Sequence, residues 1–342
     1  FIAPLLLTDL ELVSRPVNYI SYEIMSRDGK KHDVQLYFEA SSNWALDSPL
    51  QESLSSQYKS GNLQYVKTGS KSQDVLGKKG DHIRIDWGYF YMAADANKTK
   101  SAIGNGSHLR EQFLKGTSIQ SAQNGNQLVL TQNFSVSDKY ADKIMLGYDD
   151  IYSIQYFGKN LRPYWNRNEN STIEKQFELA DKQFSKLKSA CDKFDAELWD
   201  TALRTGGSEY AALSALAYRQ SIAAHKLVQA PNGDLLLLSK ENDSNGSIGT
   251  VDVTYPSAPL YLYYNPELAK GLLNHIFYYS ESKRWTKPFA AHDIGTYPIG
   301  NGQTYGGDMP VEESGNMLIL TYAIARMEKN ANYAAKHWDV LT

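Results

Sequence analysis

The first 150 residues alternate between hydrophobic and polar positions, with turn-forming residues between the alternating segments. Residues 17–24 alternate, Asp28-Gly29 interrupts the pattern, and residues 32–38 alternate again. A period of two is typical of a strand and Asp-Gly of a tight turn, so we predict a β-hairpin here. Further strands are predicted at residues 63–67, 82–93, 127–132 and 143–148. Because no helical pattern separates these strands, we predict an antiparallel β-sandwich over residues 1–165.

The spacing of apolar positions changes to a helical period after Tyr164. Residues 171–194 form a charged amphipathic pattern with one apolar face, which predicts a helix that links two domains. We place this linker region at residues 166–205. The length of 342 residues also favours more than one domain, because a single hydrophobic core rarely grows that large.

A second helical region is predicted over residues 206–342. Ser208 is a suitable N-cap for a helix that continues to Leu227. Pro266 and Pro310 each begin a further helix, since proline at the first helical position loses no backbone hydrogen bond. Long polar loops connect these helices, and loops of that kind inside a compact domain are usually functional.

Composition narrows the class of ligand. The formal net charge is −3 and the sequence pI is about 6.2, so there is no basic excess with which to bind nucleic acid or an anionic membrane. A small polar substrate fits better. The single cysteine, Cys191, excludes an intramolecular disulfide and a cysteine-based zinc site. No apolar run is long enough to predict a transmembrane segment. The chain opens on Phe1, from which we expect a mature piece without its signal sequence.

Three polar loops carry most of the candidate chemistry. The first contains SKENDSNG (239–246) and TVDVTYP (250–256), the second contains AHDIGTYP (291–298), and the third contains MPVEESGN (309–316). These stretches, with 12–17, 28–34 and 218–226 upstream, resemble the glutaminase A family of fungi and gut Bacteroidetes. The resemblance implies a multidomain α and β protein, in which an antiparallel β-sandwich precedes an (α/α)6 toroid of the six-hairpin glycosidase type. It also implies a secreted or periplasmic hydrolase that converts glutamine to glutamate and ammonia. The pattern predicts far fewer helices than six hairpins contain, so we expect part of a toroid and a chain truncated at both ends.

Amide hydrolysis needs an attacking water or nucleophile, a base and an acid. The sequence has no Gly-x-Ser-x-Gly elbow, and its Ser-x-x-Lys pairs recur too often to be informative. Carboxylates therefore remain as the carriers of the chemistry, and we predict Asp293, Glu313 and Glu241 as catalytic. We predict no organic cofactor, and the sequence leaves a bound metal and the oligomeric state open.

Each of these acids also has a structural interpretation. Glu312 and Glu313 fall in the first turn after Pro310, where negative charge stabilises a helix N-terminus. Neighbours on a helix point about 100° apart, so at most one of the two faces a cleft, and we select Glu313. Asp293 acts either as an acid or base or as a loop-organising residue that accepts hydrogen bonds from nearby backbone amides.

The remaining predicted site residues bind substrate or support the loops. Lys240 is expected to keep the adjacent Glu241 ionised, and Asp252 is expected to lie on a short extended segment that orders the turn at Tyr255-Pro256. Arg219 is the candidate for the α-carboxylate of glutamine, because a guanidinium binds a carboxylate with two parallel hydrogen bonds. The supporting group is completed by Asn245, His292, Glu312 and Asn316. His32, His82 and His108 have no partner at metal-ligand spacing.

Two alternatives stay open at this point. The same loops suit a six-hairpin glycoside hydrolase that acts on a poly- or oligosaccharide through two carboxylates about 6.5–9.5 Å apart. A noncatalytic carbohydrate-binding protein is favoured if the acids prove scattered. Fold alone does not decide between these functions.

Overall fold

The first half of the chain is built from β-strands. The computed structural model describes residues 1–122 and 125–342. The strands are β1 (Val17–Met25), β2 (His32–Ser41), β3 (Ser53–Ser60), β4 (Leu63–Ser70), β5 (Tyr89–Asp95), β6 (Thr99–Gly104), β7 (Gln127–Val136), β8 (Lys139–Asp149), β9 (Ile154–Tyr156) and β10 (Lys159–Leu161). Two short helices accompany them, α1 (Leu10–Ser14) and α2 (Gly106–Leu114).

These strands form an antiparallel sandwich, as predicted. A five-stranded sheet has the order β1-β8-β5-β4-β3, and a three-stranded sheet has the order β2-β7-β6. The layer between them is apolar, with Val66, Met92 and Ile144 from the first sheet against Leu128 and Leu130 from the second. Alternation along each strand produces this arrangement, because every second side chain points into the layer.

The predicted hairpin of residues 17–38 is wrong. β1 pairs with β8 and β2 pairs with β7, so the two strands belong to opposite sheets. The connection at Asp28-Gly29 crosses from one layer of the sandwich to the other. Alternation identifies each strand, but it does not identify the strand's partner.

A long helix, α3 (Ile173–Ala223), follows the sandwich. Its first part lays Phe177 and Ala180 on the outer face of the five-stranded sheet, against Tyr65 and Tyr91. Gly207 interrupts the helical backbone with φ 86°, next to the predicted helix start at Ser208. The predicted continuation to Leu227 is wrong, because the chain leaves the helix after Ala223 and forms a strand.

The remainder of the chain is mainly helical, with a strand pair at its start. Its elements are β11 (His225–Gln229), β12 (Leu235–Ser239), α4 (Val251–Tyr264), α5 (Pro266–Gly271), α6 (Asn274–Glu281), β13 (Ile299–Gly300), α7 (Pro310–Glu328), α8 (Asn332–Lys336) and α9 (Trp338–Leu341). β11 and β12 pair antiparallel. The predicted helix starts at Pro266 and Pro310 are confirmed.

The extended segment predicted around Asp252 is wrong, because residues 251–264 form helix α4. The local sequence predicts a strand that ends in a turn, because Val251 and Val253 alternate with polar residues and Pro256 follows. Pro256 and Pro259 inside the helix each remove a backbone donor, a loss that usually breaks a helix. Packing holds the segment helical instead, through its buried side chains Val251, Thr254, Ala258 and Tyr261.

Several contacts among the described residues attach the helical half to the β-rich half. β13 pairs in parallel with β9, and the amide of Gly80 donates to the carbonyl of Tyr297 at 3.1 Å. Nζ of Lys226 lies 3.0 Å from Oδ2 of Asp150, which follows β8. The loop that contains residues 291–298 is therefore held by both halves. Within residues 1–122 and 125–342, no helix has both the length and the apolarity to cross a membrane.

Candidate active site

Three of the predicted site residues meet at one point. A carboxylate oxygen of Glu241, a carboxylate oxygen of Asp252 and a ring nitrogen of His292 all lie within 4.8 Å of one another. Glu241 follows β12, Asp252 lies in the first turn of α4, and His292 comes from the loop before β13. His292 is buried, whereas the two acids are partly exposed, so this cluster opens toward solvent on its carboxylate side.

Backbone hydrogen bonds bring these segments together. The amide of Val251 donates to the carbonyl of His292 at 3.0 Å, and Ile248 exchanges backbone hydrogen bonds with Gly295 and Ile294. The chain between them turns at Gly249, where φ is +63° and a Cβ atom would lie 2.3 Å from Nε2 of His275. The segment before α4 therefore runs directly beside the His292 loop.

Asp293 is fully buried and its carboxylate is surrounded by donors. It accepts hydrogen bonds from the backbone amides of Gly295 at 2.8 Å, Thr304 at 3.0 Å and Tyr305 at 3.2 Å. It also accepts from Nδ1 of His292 at 2.9 Å. Its geometry is that of a residue that organises the loop and orients His292, and its predicted catalytic role stays a prediction.

His292 is held from two directions. Nδ1 donates to Asp293, and the ring stacks on Tyr305 with centroids 4.1 Å apart. Burial lowers the pKa of His292, but the hydrogen bond and charge of Asp293, with the charges of Asp252 and Glu313, outweigh it and raise the pKa. Because Nδ1 is engaged, Nε2 is the ring nitrogen left for substrate, water or a metal ion.

Glu313 is the second fully buried carboxyl of the site, and it lies in the first turn of α7. In the part of the chain that the structure describes, neither of its oxygens has a hydrogen-bond partner. Burial raises its pKa to about 8, and the charge of Asp252 adds to the effect, followed by that of Glu312, while His292 and Asn316 oppose it. Asn316 lies one turn further along and lowers the pKa without forming a well-shaped hydrogen bond.

The orientation predicted for the adjacent pair of acids is confirmed. Glu313 points into the protein, and Glu312 is exposed. The first turns of α4 and α7 thus direct Asp252 and Glu313 to the same region. The N-terminus of a helix carries a partial positive charge, but at Glu313 the effect of burial is larger.

Lys240 does not have the partner that its position in the sequence predicts. Lys240 does not accompany Glu241, because Nζ of Lys240 donates to the carbonyl of Asp81 at 2.8 Å and lies over the Tyr297 ring. Burial lowers the pKa of Lys240. Adjacent residues in extended backbone point to opposite sides, which separates Lys240 from Glu241.

Asn245 shapes the loop by accepting a hydrogen bond from the amide of Ser247 at 2.8 Å. Tyr255 lies on α4 and is 42% exposed, so it does not form the predicted turn.

Arg219 lies apart from the cluster. Its guanidinium is over the ring of Phe1, and it lines a separate pocket together with Cys191 and Asp195. The neighbouring Tyr218 donates to the carbonyl of Leu5 at 2.6 Å, which sets the rotation of the helix. The predicted contact of Arg219 with a substrate in the cluster therefore has no support from its position.

Two residues beside the cluster were not identified from the sequence. Tyr305 stacks on His292, and His275 lies beneath Gly249, to whose carbonyl its Nε2 donates at 2.8 Å. His275 falls inside a helical apolar pattern, and Tyr305 lies in a Gly-rich loop, so neither has a local signal. Burial lowers the pKa of His275 to about 4 and keeps the ring neutral.

The assembled group can serve two kinds of chemistry. Two partly exposed carboxylates and a histidine can accept a proton from water, with the buried Glu313 as a proton donor. The same three ligand atoms of Glu241, Asp252 and His292 could also hold a divalent cation. Both arrangements suit hydrolysis.

Comparisons with known proteins place both halves of the chain. Residues 207–342 match the family model described as the glutaminase A six helical-hairpin domain. Residues 1–201 match a domain of unknown function, DUF5127. Among solved structures, one named "Putative kojibiose phosphorylase from human microbiome" is similar over 93% of this chain and 38% of its own, with 13% identity and a TM-score of 0.43.

Two fungal proteins are similar in sequence. Glutaminase A of Aspergillus oryzae is 28% identical over 363 residues, which cover 100% of this chain and 52% of the fungal protein. A protein of Arthroderma benhamiae named "Probable glutaminase" is 34% identical over 156 residues, which cover 44% of this chain and 18% of that protein. The chain thus spans about half the length of the first relative and less of the second.

Proposed function

This chain belongs to the glutaminase A family, and from that premise we propose that it hydrolyses the side-chain amide of L-glutamine to glutamate and ammonia. The observation that carries the proposal is the convergence of Glu241, Asp252 and His292 beside the buried Glu313. His292 comes from a loop 40 residues after Asp252, so the fold and not local spacing brings it to the two acids. The name of the Aspergillus relative supports glutamine as the substrate.

The chemistry divides between the exposed and the buried side of the site. Water adds to the carbonyl carbon of the glutamine side chain. The group formed by Glu241, Asp252 and His292 activates the water by taking up the proton that the water loses. The bond from carbon to nitrogen then breaks, and the departing nitrogen takes a proton from Glu313. The proton taken from water then passes from the cluster to Glu313, which restores all four side chains, and the net reaction converts glutamine and water to glutamate and ammonia. Asp293 keeps His292 in position throughout.

Substituting Glu313 tests this assignment. Glu313→Gln keeps the shape but cannot donate the proton, and we expect ammonia release from glutamine to fall by about 100-fold or more. The matched control is Glu267→Gln, because Glu267 also lies in the first turn of a helix that starts at proline, but is exposed. Its activity should stay within about twofold of the unchanged protein.

The same preparation should be assayed on a panel of aryl glycosides. Ammonia release without glycoside cleavage supports the glutaminase. Glycoside cleavage without ammonia release would replace it with the six-hairpin glycoside hydrolase. Folded full-length protein without activity on either substrate class would contradict both. Export, which the family resemblance implies, is a separate proposal that detection of the protein outside the cytoplasm would test.

A further inference from the structure

We propose that Glu241, Asp252 and His292 form a binding site for a single divalent transition-metal ion, for which Zn²⁺ is the best-suited probe. The proposal deepens the proposed function, on which the ion's role rests. With the ion bound, Glu241, Asp252 and His292 would be its ligands, the ion would hold the attacking water, and the proton of that water would pass to solvent on the open side of the cluster. Ion binding itself is independent of the substrate. The two can therefore fail separately.

The donor geometry is the first support. The three ligand atoms lie within 4.8 Å of one another. Zinc binds nitrogen and oxygen donors at about 2.0–2.2 Å, so two donors of one ion are at most about 4.4 Å apart. Small rotations about the side-chain bonds of the two partly exposed acids would close the site. Three protein donors with an open side toward solvent are the arrangement of catalytic zinc.

The orientation of His292 is the second support. Nδ1 of His292 donates to the fully buried Asp293, which leaves the lone pair of Nε2 available. Metal-binding histidines almost always donate their other ring nitrogen to a carboxylate or carbonyl, which fixes the tautomer and strengthens the ligand. Asp293 in turn is fixed by three backbone amides. The orientation of the ring is thus fixed, with Nε2 directed away from Asp293.

Glu313 is the third and independent support. It is fully buried, and its oxygens lack hydrogen-bond partners within residues 1–122 and 125–342. Its electrostatic neighbours are Asp252 and His292, two of the three donors. A buried carboxyl without donors is costly, because water no longer solvates it. A cation at the cluster would supply the positive charge that this side of the site lacks.

The donor set also selects the kind of ion. Ca²⁺ and Mg²⁺ prefer oxygen ligands alone. An imidazole combined with two carboxylates suits zinc and other first-row divalent ions. A second group of possible donors, Asp81, His82 and Asp243, lies at the surface, where the side chains of His82 and Asp243 are 75% and 92% exposed. The histidine of that group is exposed, whereas His292 is buried, so the group serves as the internal comparison.

The experiment measures zinc binding by the full-length protein after removal of metal with a chelator. We expect one equivalent of Zn²⁺ by isothermal titration calorimetry and a rise in the temperature of unfolding. Asp252→Asn and Glu241→Gln should each weaken binding at least about tenfold, and Asp293→Asn by about 10–100-fold through His292. His82→Gln should leave the affinity of this equivalent unchanged.

The variants at Asp252 and Glu241 are partly exposed and nearly isosteric, and thermal unfolding without zinc shows that they fold. Absence of binding would overturn the proposal. Binding that survives both variants, or that is lost in His82→Gln, would also overturn it. Glutamine hydrolysis at full rate in chelator, without bound zinc, would overturn the ion's role in holding the attacking water and leave the glutaminase. Zinc binding as expected without hydrolysis would support the site and contradict the proposed function.

Discussion

The loop at Asp293 and the first turn of α7 at Glu313 both bury a carboxyl group completely, but they treat it in opposite ways. Asp293 accepts from three backbone amides and from His292. Glu313 has no partner for either oxygen among the described residues. The first arrangement contributes stability, because its donors would be left unsatisfied without it. The second has an energetic cost, which is typical of groups kept for function.

Removing Asp293 should have the largest effect. Asp293→Ala leaves several buried donors without an acceptor, and we expect the free energy of unfolding to fall by about 3–5 kcal/mol. Urea denaturation at neutral pH measures the change. Asp308→Ala is the control from the same loop, since Asp308 pairs with Lys287 at the surface and should cost less than about 1 kcal/mol. Equal losses of unfolding free energy in the two variants would show that the buried acid contributes no more to stability than the exposed one.

His275 extends the comparison to a buried base. Burial lowers its pKa to about 4, with His225 adding to the effect and the carbonyls of Gly249 and Gly271 and the charge of Asp293 opposing it. The unfolded state binds a proton below its ordinary pKa near 6.5, whereas the folded state does not. Stability therefore falls as the pH drops from 6.5 to 4, by about 3 kcal/mol from this group.

The measurement is the free energy of unfolding across this pH range, for the unchanged protein and for His275→Gln. The glutamine variant should show a shallower dependence on pH. Identical pH profiles would mean that His275 does not carry this share of acid sensitivity.

Glu313→Leu should change stability in the opposite direction from Asp293→Ala. Replacing a buried carboxyl that lacks donors by an apolar side chain of similar size should raise the free energy of unfolding by about 1–2 kcal/mol. Glutamine hydrolysis should be lost in the same variant. Glu267→Leu, an exposed residue in the first turn of α5, should change stability by less than about 0.5 kcal/mol. A loss of stability in Glu313→Leu would show that Glu313 has a stabilising partner after all.

Tyr305→Ala should have the smallest effect of this series. Its ring stacks on His292 but is 41% exposed, so we expect a loss of about 1 kcal/mol. Chemical denaturation measures it, with Tyr322→Ala as the control, since Tyr322 is 63% exposed on α7. No difference between the two variants would mean that Asp293 alone holds His292.

Much of the secondary structure follows from local pattern, whereas pairing does not. Alternation at residues 17–24 predicted β1, and Pro266 and Pro310 marked the starts of α5 and α7. The partner of β1 lies more than 100 residues away in β8, and no turn residue indicates it. Helix α4 was missed for a related reason, because its two prolines oppose a helix locally and packing overrides them.

The site was only partly predictable. Helix geometry correctly separated the buried Glu313 from the exposed Glu312, since adjacent residues cannot share a face. The pairing of Lys240 with Glu241 was predicted from neighbourhood in sequence, and Arg219 was predicted from the chemistry of its guanidinium alone. In the fold, both cations lie away from these partners. Glu241, Asp252 and His292 share no spacing, so their meeting depends on the backbone contacts between residues 246–251 and 292–297.

The pairing of β13 with β9 has a consequence for protein engineering. The loop that presents His292 leads into β13, and β13 is hydrogen-bonded to a strand encoded more than 100 residues earlier. In a chimaera that takes residues 207–342 from one relative and the rest from another, β13 and the His292 loop would come from one protein. The strand β9 that pairs with β13 would come from the other. Designers who exchange halves between relatives should transfer residues 154–156 and Gly80 together with the helical half. The backbone contacts that hold the His292 loop would then be preserved.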